Sequence, residues 1–316
     1  MVSGTRAASS RYERTSHPDV EIVLHPIPTP DSKPYIVVFG PDRHLWFCES
    51  GASKIGRMNP GDGSFAEFQT PTPESRPIGI IPAADGALWF CESAGNRIGR
   101  ITTSGAITEF PVATPGAGPD GIIAGPDGNV WFSEAQLSRI GRITPDGAVT
   151  EFSQGLTPGC RPLSLVVRGG DLWFSEYEAG QIGRITMDGR VTEYQIPTPN
   201  SEPRAMAVHP DGHIWFVETK ANALGRIDAH GRVTEWPVHT PDASLRGVAV
   251  APDGDLWFTE NFANKIGRMA PDGTVIGEYA IPLAGCGARA IVAIPDGRLF
   301  FSAHDAGAIG EVIPRR

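Results

Sequence analysis

Trp131-Phe132-Ser133-Glu134, followed by Ile140-Gly141-Arg142 and by Thr150-Glu151-Phe152, is the stretch of sequence that decides the fold. Its aromatic anchor recurs every 42 or 43 residues. The seven copies are anchored at Trp46, Trp89, Trp131, Trp173, Trp215, Trp257 and Phe300. A fixed period of this length indicates a repeat architecture in which each copy is one small structural unit.

Each copy has the pattern of four short antiparallel strands. Runs rich in β-branched and aromatic residues are separated by Asp-Gly pairs, such as Asp127-Gly128 and Asp146-Gly147. These pairs supply the positive φ angles of tight hairpins. Because four-stranded units of this length repeated radially are propeller blades, the sequence predicts an all-β, seven-bladed β-propeller of four-stranded antiparallel blades.

The seventh copy has no room for a fourth strand before the chain ends at Arg316. We expect that strand to come from the N-terminus, where the run from Val20 to Ile27 has the right composition. Its pairing with the last blade would close the ring and remove exposed sheet edges. The predicted organisation is a disordered leader over residues 1–18 and a single propeller domain over residues 19–316.

Composition and charge exclude several classes of partner. The net charge of −9 argues against nucleic acid, because phosphate backbones are bound by clustered Lys and Arg. No apolar run approaches the roughly 18 residues of a membrane span, and residues 1–18 lack the apolar centre of a secretory signal. We therefore expect a cytoplasmic monomer that acts on a small molecule.

The charges of the repeat are expected to be structural. Six copies carry a Glu two residues after the first Phe, and six carry the Arg of the Ile-Gly-Arg marker (Leu-Gly-Arg in the fifth copy). The seventh copy loses both together, with Ala303 and Glu311 in their places. This joint loss predicts an ion pair between the repeated Glu and Arg, within or between blades.

Function is expected where the copies differ around the central channel. The position at the start of the innermost strand reads Tyr35, Ile78, Asp120, Leu163, Arg204, Arg246 and Arg289 from the first copy to the seventh. The position in the loop between the second and third strands reads Ser50, Ser93, Ala135, Tyr177, Thr219, Asn261 and His304. Three consecutive guanidiniums beside a phenol and an imidazole would suit a carboxylate or phosphate. The alternative is that these Arg side chains are solvated or paired with local acids such as Glu202 and Asp242.

The recurring Trp-Phe-x-Glu, Ile-Gly-Arg-Ile, Thr-Glu-Phe and Pro-Thr-Pro motifs, from about Val20 onward, resemble the virginiamycin B lyase (streptogramin lyase) family. The resemblance implies a seven-bladed propeller and a Mg²⁺-assisted elimination that opens a cyclic depsipeptide, with a His as base. The family's catalytic His falls on Arg289, and its two Mg²⁺-binding Glu residues fall on Gly287 and on His304 or Ala303. A substrate-contacting His falls on Arg246, and a Tyr of the first blade is matched by Tyr35. The catalytic His and the Glu positions are therefore not retained, so no cofactor is expected, and Mg²⁺ is implied only by the resemblance.

Three functional hypotheses follow from these residues. The first is a lyase-like enzyme performing a metal-independent elimination, ring opening or cyclisation on a small anionic substrate. Its catalytic residues are His304, Arg289 and Tyr35, its substrate-binding residues are Arg204, Arg246, Asp120 and Tyr177, and it has no metal ligands. The second is a non-catalytic propeller that binds a ligand or protein through the Arg-lined face. The third is a streptogramin B lyase with a rearranged site.

Overall fold

Seven antiparallel sheets surround a central channel in the computed structural model, which describes residues 13–315. The innermost strands contact each other in sequence around the ring, and the last innermost strand contacts the first. The prediction of an all-β, seven-bladed propeller of four-stranded blades is confirmed. Within the described residues, no helix has the length and hydropathy needed to span a membrane.

Six blades are continuous in sequence, each with its strands in the order innermost to outermost. Blades one to three are β3 (Pro34–Phe39), β4 (Leu45–Glu49), β5 (Lys54–Met58) and β6 (Phe65–Gln69); β7 (Pro77–Pro82), β8 (Leu88–Glu92), β9 (Arg97–Ile101) and β10 (Ile107–Pro111); and β11 (Pro119–Ala124), β12 (Val130–Glu134), β13 (Arg139–Ile143) and β14 (Val149–Phe152). Blades four to six are β15 (Pro162–Arg168), β16 (Asp171–Glu176), β17 (Gln181–Ile185) and β18 (Val191–Gln195); β19 (Pro203–Val208), β20 (Ile214–Glu218), β21 (Ala223–Ile227) and β22 (Val233–Pro237); and β23 (Leu245–Val250), β24 (Leu256–Glu260), β25 (Lys265–Met269) and β26 (Val275–Ala280).

The seventh blade joins the two ends of the chain. It contains β27 (Ala288–Ala293), β28 (Leu299–Ala303) and β29 (Ala308–Pro314), and its fourth strand is β2 (Val20–Pro26), which pairs antiparallel with β29. The predicted closure of the ring is therefore confirmed. The expected leader needs a correction, because β1 (Arg14–Ser16) pairs with β2 as a fifth strand, a backbone pairing that composition did not reveal. Residues 1–12 lie outside the described part.

One face of each blade explains the Trp and Arg of the repeat. In blade one, Arg57 on β5 is the cross-strand partner of Trp46 on β4, and its guanidinium lies 5.5 Å from the centroid of that ring. Trp46 stacks on Phe68 of β6, with centroids 5.6 Å apart, and its Nε1 donates to Asp42 at 2.9 Å. Arg57 also pairs with Asp42. In blade one the Arg of the repeat thus covers the aromatic stack and binds a turn Asp.

The opposite face explains the Glu and the Gly. Side chains alternate between faces along a strand, so Glu49 shares its face with Phe47 and not with Trp46 or Arg57. The predicted Glu–Arg ion pair is therefore wrong. Gly56 lies on this face next to Phe47 and Glu49. A Cβ at Gly56 would be 2.1 Å from the Phe47 ring and 2.7 Å from Glu49 Oε1. Glu67 on β6 is the cross-strand partner of Gly56. Because Gly56 lacks a side chain, the Glu49 carboxyl can reach the Glu67 carboxyl.

Two carboxyl groups therefore meet in each of six blades. The pairs are Glu49 with Glu67, Glu92 with Glu109, Glu134 with Glu151, Glu176 with Glu193, Glu218 with Glu235, and Glu260 with Glu278. The first member of each pair is fully buried. Burial, and next the neighbouring carboxyl, raise the pKa of these six groups to about 8, 8, 7, 9, 9 and 7, in the same order. The inner carboxyls with pKa values of about 8 or 9 are thus held largely neutral near neutral pH, whereas Glu134 and Glu260 titrate there.

The outer carboxyl of a pair connects its blade to the preceding one. Glu151 accepts hydrogen bonds from the backbone N–H of Thr114 at 3.0 Å and from its hydroxyl at 2.6 Å. Thr114 lies in the segment that leaves blade two, and equivalent Thr residues bind Glu109, Glu193, Glu235 and Glu278. The Thr-Pro segment of the repeat is therefore a connection between blades.

The seventh blade lacks the carboxyl pair and reverses the charges of the other face. Ala303 stands at the inner position and Leu24, the partner of Gly310, at the outer one. Glu311 replaces the repeated Arg, and Arg298 donates to it at 2.7 Å while lying 5.4 Å from the Phe300 ring. The losses of Glu and Arg in this copy are therefore two separate changes, each compensated by its own neighbour.

Candidate functional site

An irregularity at the start of each innermost strand presents one side chain to the channel. The register of β27 against β28 shifts between Ala288 and Ile291, and all seven blades show the same shift. The residue just before the strand has a positive φ in every blade, 69° at Gly287 and 54° at Ser244. A bulge of this kind redirects a side chain away from the regular ladder. The second residue of the strand, Arg289 in blade seven, consequently lines the channel.

These residues surround a cavity of about 330 Å³. Tyr35, Asp120, Leu163, Arg204, Arg246 and Arg289 all line it, so the structure brings together the side chains that the copy-by-copy comparison selected. The charged residues of the lining are Asp120 and the three arginines, and most of the remaining surface is apolar. The volume and the few convergent polar groups in an apolar wall are typical of small-molecule sites.

The three arginines have no acidic partner among residues 13–315. The Nε atoms of Arg204, Arg246 and Arg289 are buried and make no hydrogen bond. The alternative of local pairing is not observed, since Glu202 instead accepts a hydrogen bond from the Tyr177 hydroxyl at 2.5 Å. Burial, and next the charges of Arg204 and Arg289, lower the pKa of Arg246 to about 10. Arg246 therefore remains cationic at neutral pH, beside two further guanidiniums.

His304 lies at the rim, close to two of the lining residues. Its ring meets the Tyr35 ring edge to face at 6.0 Å between centroids, and the Arg289 guanidinium lies 4.9 Å from the centroid of Tyr35. His304 Nδ1 is 2.9 Å from Asp305 Oδ1. Burial, and next Arg289, lower the pKa of His304, so the imidazole is neutral near pH 7. When Nδ1–H donates to Asp305, Nε2 carries the free lone pair.

Tyr177 is at the rim on the other side of the arginine row. The Arg204 guanidinium lies 4.3 Å from the centroid of its ring and that of Arg161 lies 5.1 Å away. Tyr177 thus holds Arg204 in place by stacking and does not itself line the cavity.

Sequence comparison missed a second ring of residues at the same mouth. The positive-φ position two residues before the arginine position holds Lys33, Arg76 and Arg161 in blades one, two and four. Asp305, next to His304, and Phe262, whose side chain is mostly exposed, belong to the loops of blades seven and six. Extending the copy-by-copy comparison by two positions would have found the cations, because every copy places that residue at the mouth.

Hydroxyl groups on the second strands fix the backbone of the site residues. Thr259 Oγ1 accepts from Gly247 N at 2.9 Å and donates to Arg289 O at 2.6 Å, which joins the innermost strands of blades six and seven. Ser302 Oγ likewise accepts from Ala290 N at 3.1 Å and donates to Tyr35 O at 2.5 Å. These bonds set the spacing between neighbouring lining residues.

We expect Thr259→Val to weaken anion binding in the cavity severalfold, because the strand that carries Arg289 loses its link to the strand of Arg246. The free energy of unfolding should fall by about 1 kcal/mol, the contribution of a typical buried hydrogen bond. Calorimetric titration with citrate and thermal unfolding measure both effects. Thr259→Ser should restore binding. Ser133→Ala, which breaks the same kind of link between Gly121 and Leu163, should lower stability without changing citrate affinity. Equal losses of affinity in the two variants would contradict a positioning role.

The fold and the site define the class of protein: a seven-bladed β-propeller with a charged cavity at one mouth of its channel. The chain belongs to the virginiamycin B lyase family, whose model matches residues 5–244 and 205–315. Among solved structures, a streptogramin B lyase is 32% identical with a TM-score of 0.90, covering 94% of this chain and 98% of its own.

Two further solved structures, both of virginiamycin B lyase from Staphylococcus aureus, are 34% identical with a TM-score of 0.89 and cover 94% of this chain and 100% of their own. One of them is a catalytically inactive variant, with a histidine replaced by alanine, that contains quinupristin. No curated protein sequence compared with the chain matches it. Hydrazine synthase of Kuenenia stuttgartiensis, at 16% identity and a TM-score of 0.76, shares the fold alone.

The residues at the implied Mg²⁺ position do not fit that ion. Gly287 has no side chain to offer, and a Cβ there would lie 2.3 Å from Asp305 Oδ2, so the Asp305 carboxylate fills the space. That carboxylate is bound to His304 and to Lys33 Nζ, the latter at 3.5 Å. Mg²⁺ requires several oxygen ligands, whereas this position combines one carboxylate with an imidazole and two cations, Lys33 and Arg289. No cluster of three or more His, Cys, Asp or Glu side chains suited to a metal occurs in the described part of the chain.

Proposed function

We propose that this protein is a lyase-like enzyme that performs a metal-independent elimination, ring opening or cyclisation on a small anionic substrate at the channel mouth. The observation that carries the proposal is the row of Arg204, Arg246 and Arg289, whose buried Nε atoms have no partner, beside the neutral imidazole of His304. Membership of a lyase family supports the reaction class.

The arginine row supports an anionic substrate on energetic grounds. Arg204 and Arg289 lower the pKa of Arg246, and none of the three forms an ion pair with an acid among residues 13–315, so the row carries an unfavourable repulsion. A carboxylate or phosphate relieves this repulsion and accepts charge-assisted hydrogen bonds, frequently two from one guanidinium. Arg246 lies between the other two arginines in blade order, so we assign it the central contact with the anion.

His304 is the proposed general base. Its Nδ1–H bond to Asp305 orients the ring, and its free Nε2 takes a proton from the carbon next to a carbonyl group. Arg289 stabilises the negative charge that develops on the carbonyl oxygen. The leaving oxygen departs with the electron pair of its bond to the next carbon, a C=C bond forms, and the Tyr35 hydroxyl supplies the proton to the leaving group. The proton held by His304 then returns to the Tyr35 oxygen, which restores both groups. In a cyclic substrate the same step opens the ring with no change in mass.

His304→Gln tests the proposal. Lactones and β-substituted carboxylates are incubated with the protein, and products are followed by mass spectrometry and by the absorbance of a new conjugated C=C bond. We expect the variant to lose turnover by about a hundredfold or more, the usual contribution of a general base. Its citrate affinity and thermal unfolding should be unchanged. Turnover of the variant equal to that of the original protein would overturn the role of His304.

A second candidate is streptogramin B lyase activity through a rearranged site, which the 32–34% identity to two such enzymes favours. Incubation with quinupristin decides it, since ring opening is read directly from fragmentation and reactivity of the product. An intact ring at high protein concentration would dismiss this candidate. A third candidate, a non-catalytic binding propeller, is favoured by the unpaired arginines alone and predicts anion binding with no product from any compound tested.

A further inference from the structure

Asp120 is a carboxyl group in the cavity wall that the proposed reaction leaves without a role. It is the second residue of β11, the same position that Arg204, Arg246 and Arg289 occupy in their own blades, so all four side chains start at the same level of the channel. Blade three is three blades from blade six and three from blade seven around a ring of seven. Asp120 therefore faces Arg246 and Arg289 from across the cavity.

No hydrogen bond or ion pair to the Asp120 carboxyl exists within residues 13–315, even though it lines the cavity. Burial raises its pKa, and the charges of Arg161, Arg204 and Arg76 only partly offset that effect. The neighbouring wall in blades two and four is apolar, with Ile80 and Leu163. The Asp120 side chain is only partly buried, and the charges of Arg161, Arg204 and Arg76 act on it without an ion pair. A protonated amine of a bound molecule would therefore be the first direct partner of this carboxyl.

We infer that the ligand of this cavity is a zwitterion, with a carboxylate or phosphate held by Arg246 and Arg289 and a protonated amine held by Asp120. This inference rests on the proposed function, because it uses the same anion site. The apolar wall between Asp120 and the arginines contacts the carbon chain that separates the two charges. A ligand with only one of the two groups leaves the opposite side of the cavity unpaired, which makes the site selective for molecules that carry both.

The experiment compares matched probes by calorimetric titration. Linear ω-amino carboxylates of three to seven carbons, a series that varies the separation of the two charges, are each paired with the unsubstituted carboxylate of the same length. We expect at least one amino carboxylate to bind about tenfold more tightly than its partner, the gain of one added charge-assisted pair. In Asp120→Asn that preference should disappear while the affinity for the unsubstituted carboxylate stays equal or improves.

Glu178→Gln provides the control, because Glu178 is an exposed carboxylate at the same mouth but outside the cavity lining. It should keep the preference for amino carboxylates. The inference is overturned if no amino carboxylate exceeds its partner, or if Asp120→Asn retains the preference. Either of these results leaves anion binding intact. If neither citrate nor inorganic phosphate binds the original protein, the anion site itself is wrong, and the proposed function falls with the inference.

Discussion

Replacing Arg204, Arg246 and Arg289 together by glutamine is expected to weaken the binding of citrate and inorganic phosphate by about a hundredfold or more, because each guanidinium supplies charge-assisted hydrogen bonds. The Nε atoms of the three side chains have no hydrogen bond to lose, and the repulsion around Arg246 disappears, whereas Arg204 and Arg289 lose their stacking on Tyr177 and Tyr35. We therefore expect the triple variant to fold and to unfold at the same or a higher temperature. Calorimetric titration at fixed ionic strength measures the affinity.

Arg232→Gln is the matched control, since the Arg232 side chain is 80% exposed on the outer surface and pairs with Asp228. It changes the net charge without touching the cavity, so anion affinity should stay the same. Single replacements separate the contributions, and Arg246→Gln is expected to have the largest effect because Arg246 stands between the other two. If the triple variant still binds citrate with the original affinity, the anion site does not lie at this mouth of the channel.

Stability is expected to fall as the pH rises from about 5 to 9. The six inner Glu residues have folded-state pKa values of about 7 to 9 against an ordinary value of 4.5. A carboxyl whose pKa is raised by folding stabilises the protein fully below its unfolded pKa, and that contribution is lost as pH rises through the folded pKa. Each group that titrates lowers the free energy of unfolding by up to about 1.4 kcal/mol per pH unit. The melting temperature should therefore drop by on the order of 5 °C or more over this range.

The single variants Glu134→Gln and Glu260→Gln test whether the inner carboxyls cause this pH dependence. These two groups have pKa values of about 7. Because glutamine is neutral and still donates to the neighbouring carboxylate, each variant should match the original protein near pH 5 and be more stable at pH 8 to 9. Glu74→Gln changes an exposed carboxylate and should leave the pH profile as it was. A melting temperature that is constant between pH 6 and 9, or Gln variants with the original pH profile, would show that the inner carboxyls are not neutral in the folded protein.

The sequence was sufficient for the parts of the site that depend on position in the repeat. Arg204, Arg246, Arg289, Asp120 and Tyr35 were selected because they occupy equivalent positions, and equivalent positions in a propeller face the same channel. The sequence is misleading for the repeated charges, because two residues that are lost together in one copy need not be in contact. The register of Trp46 with Arg57 places that Arg on the face opposite Glu49, a consequence of side-chain alternation along the strand.

The sequence by itself determined the architecture, because a period of 42 or 43 residues with hairpin turns at fixed places admits one arrangement of blades. Only the tertiary structure decided which polar groups have partners. Asp305 reaches His304 and fills the space beside Gly287, and Glu202 binds Tyr177, whereas the Nε atoms of the three arginines have no hydrogen-bond partner among residues 13–315. These contacts join loops and strand ends from different blades, and their distances depend on backbone positions that no local pattern of residues encodes.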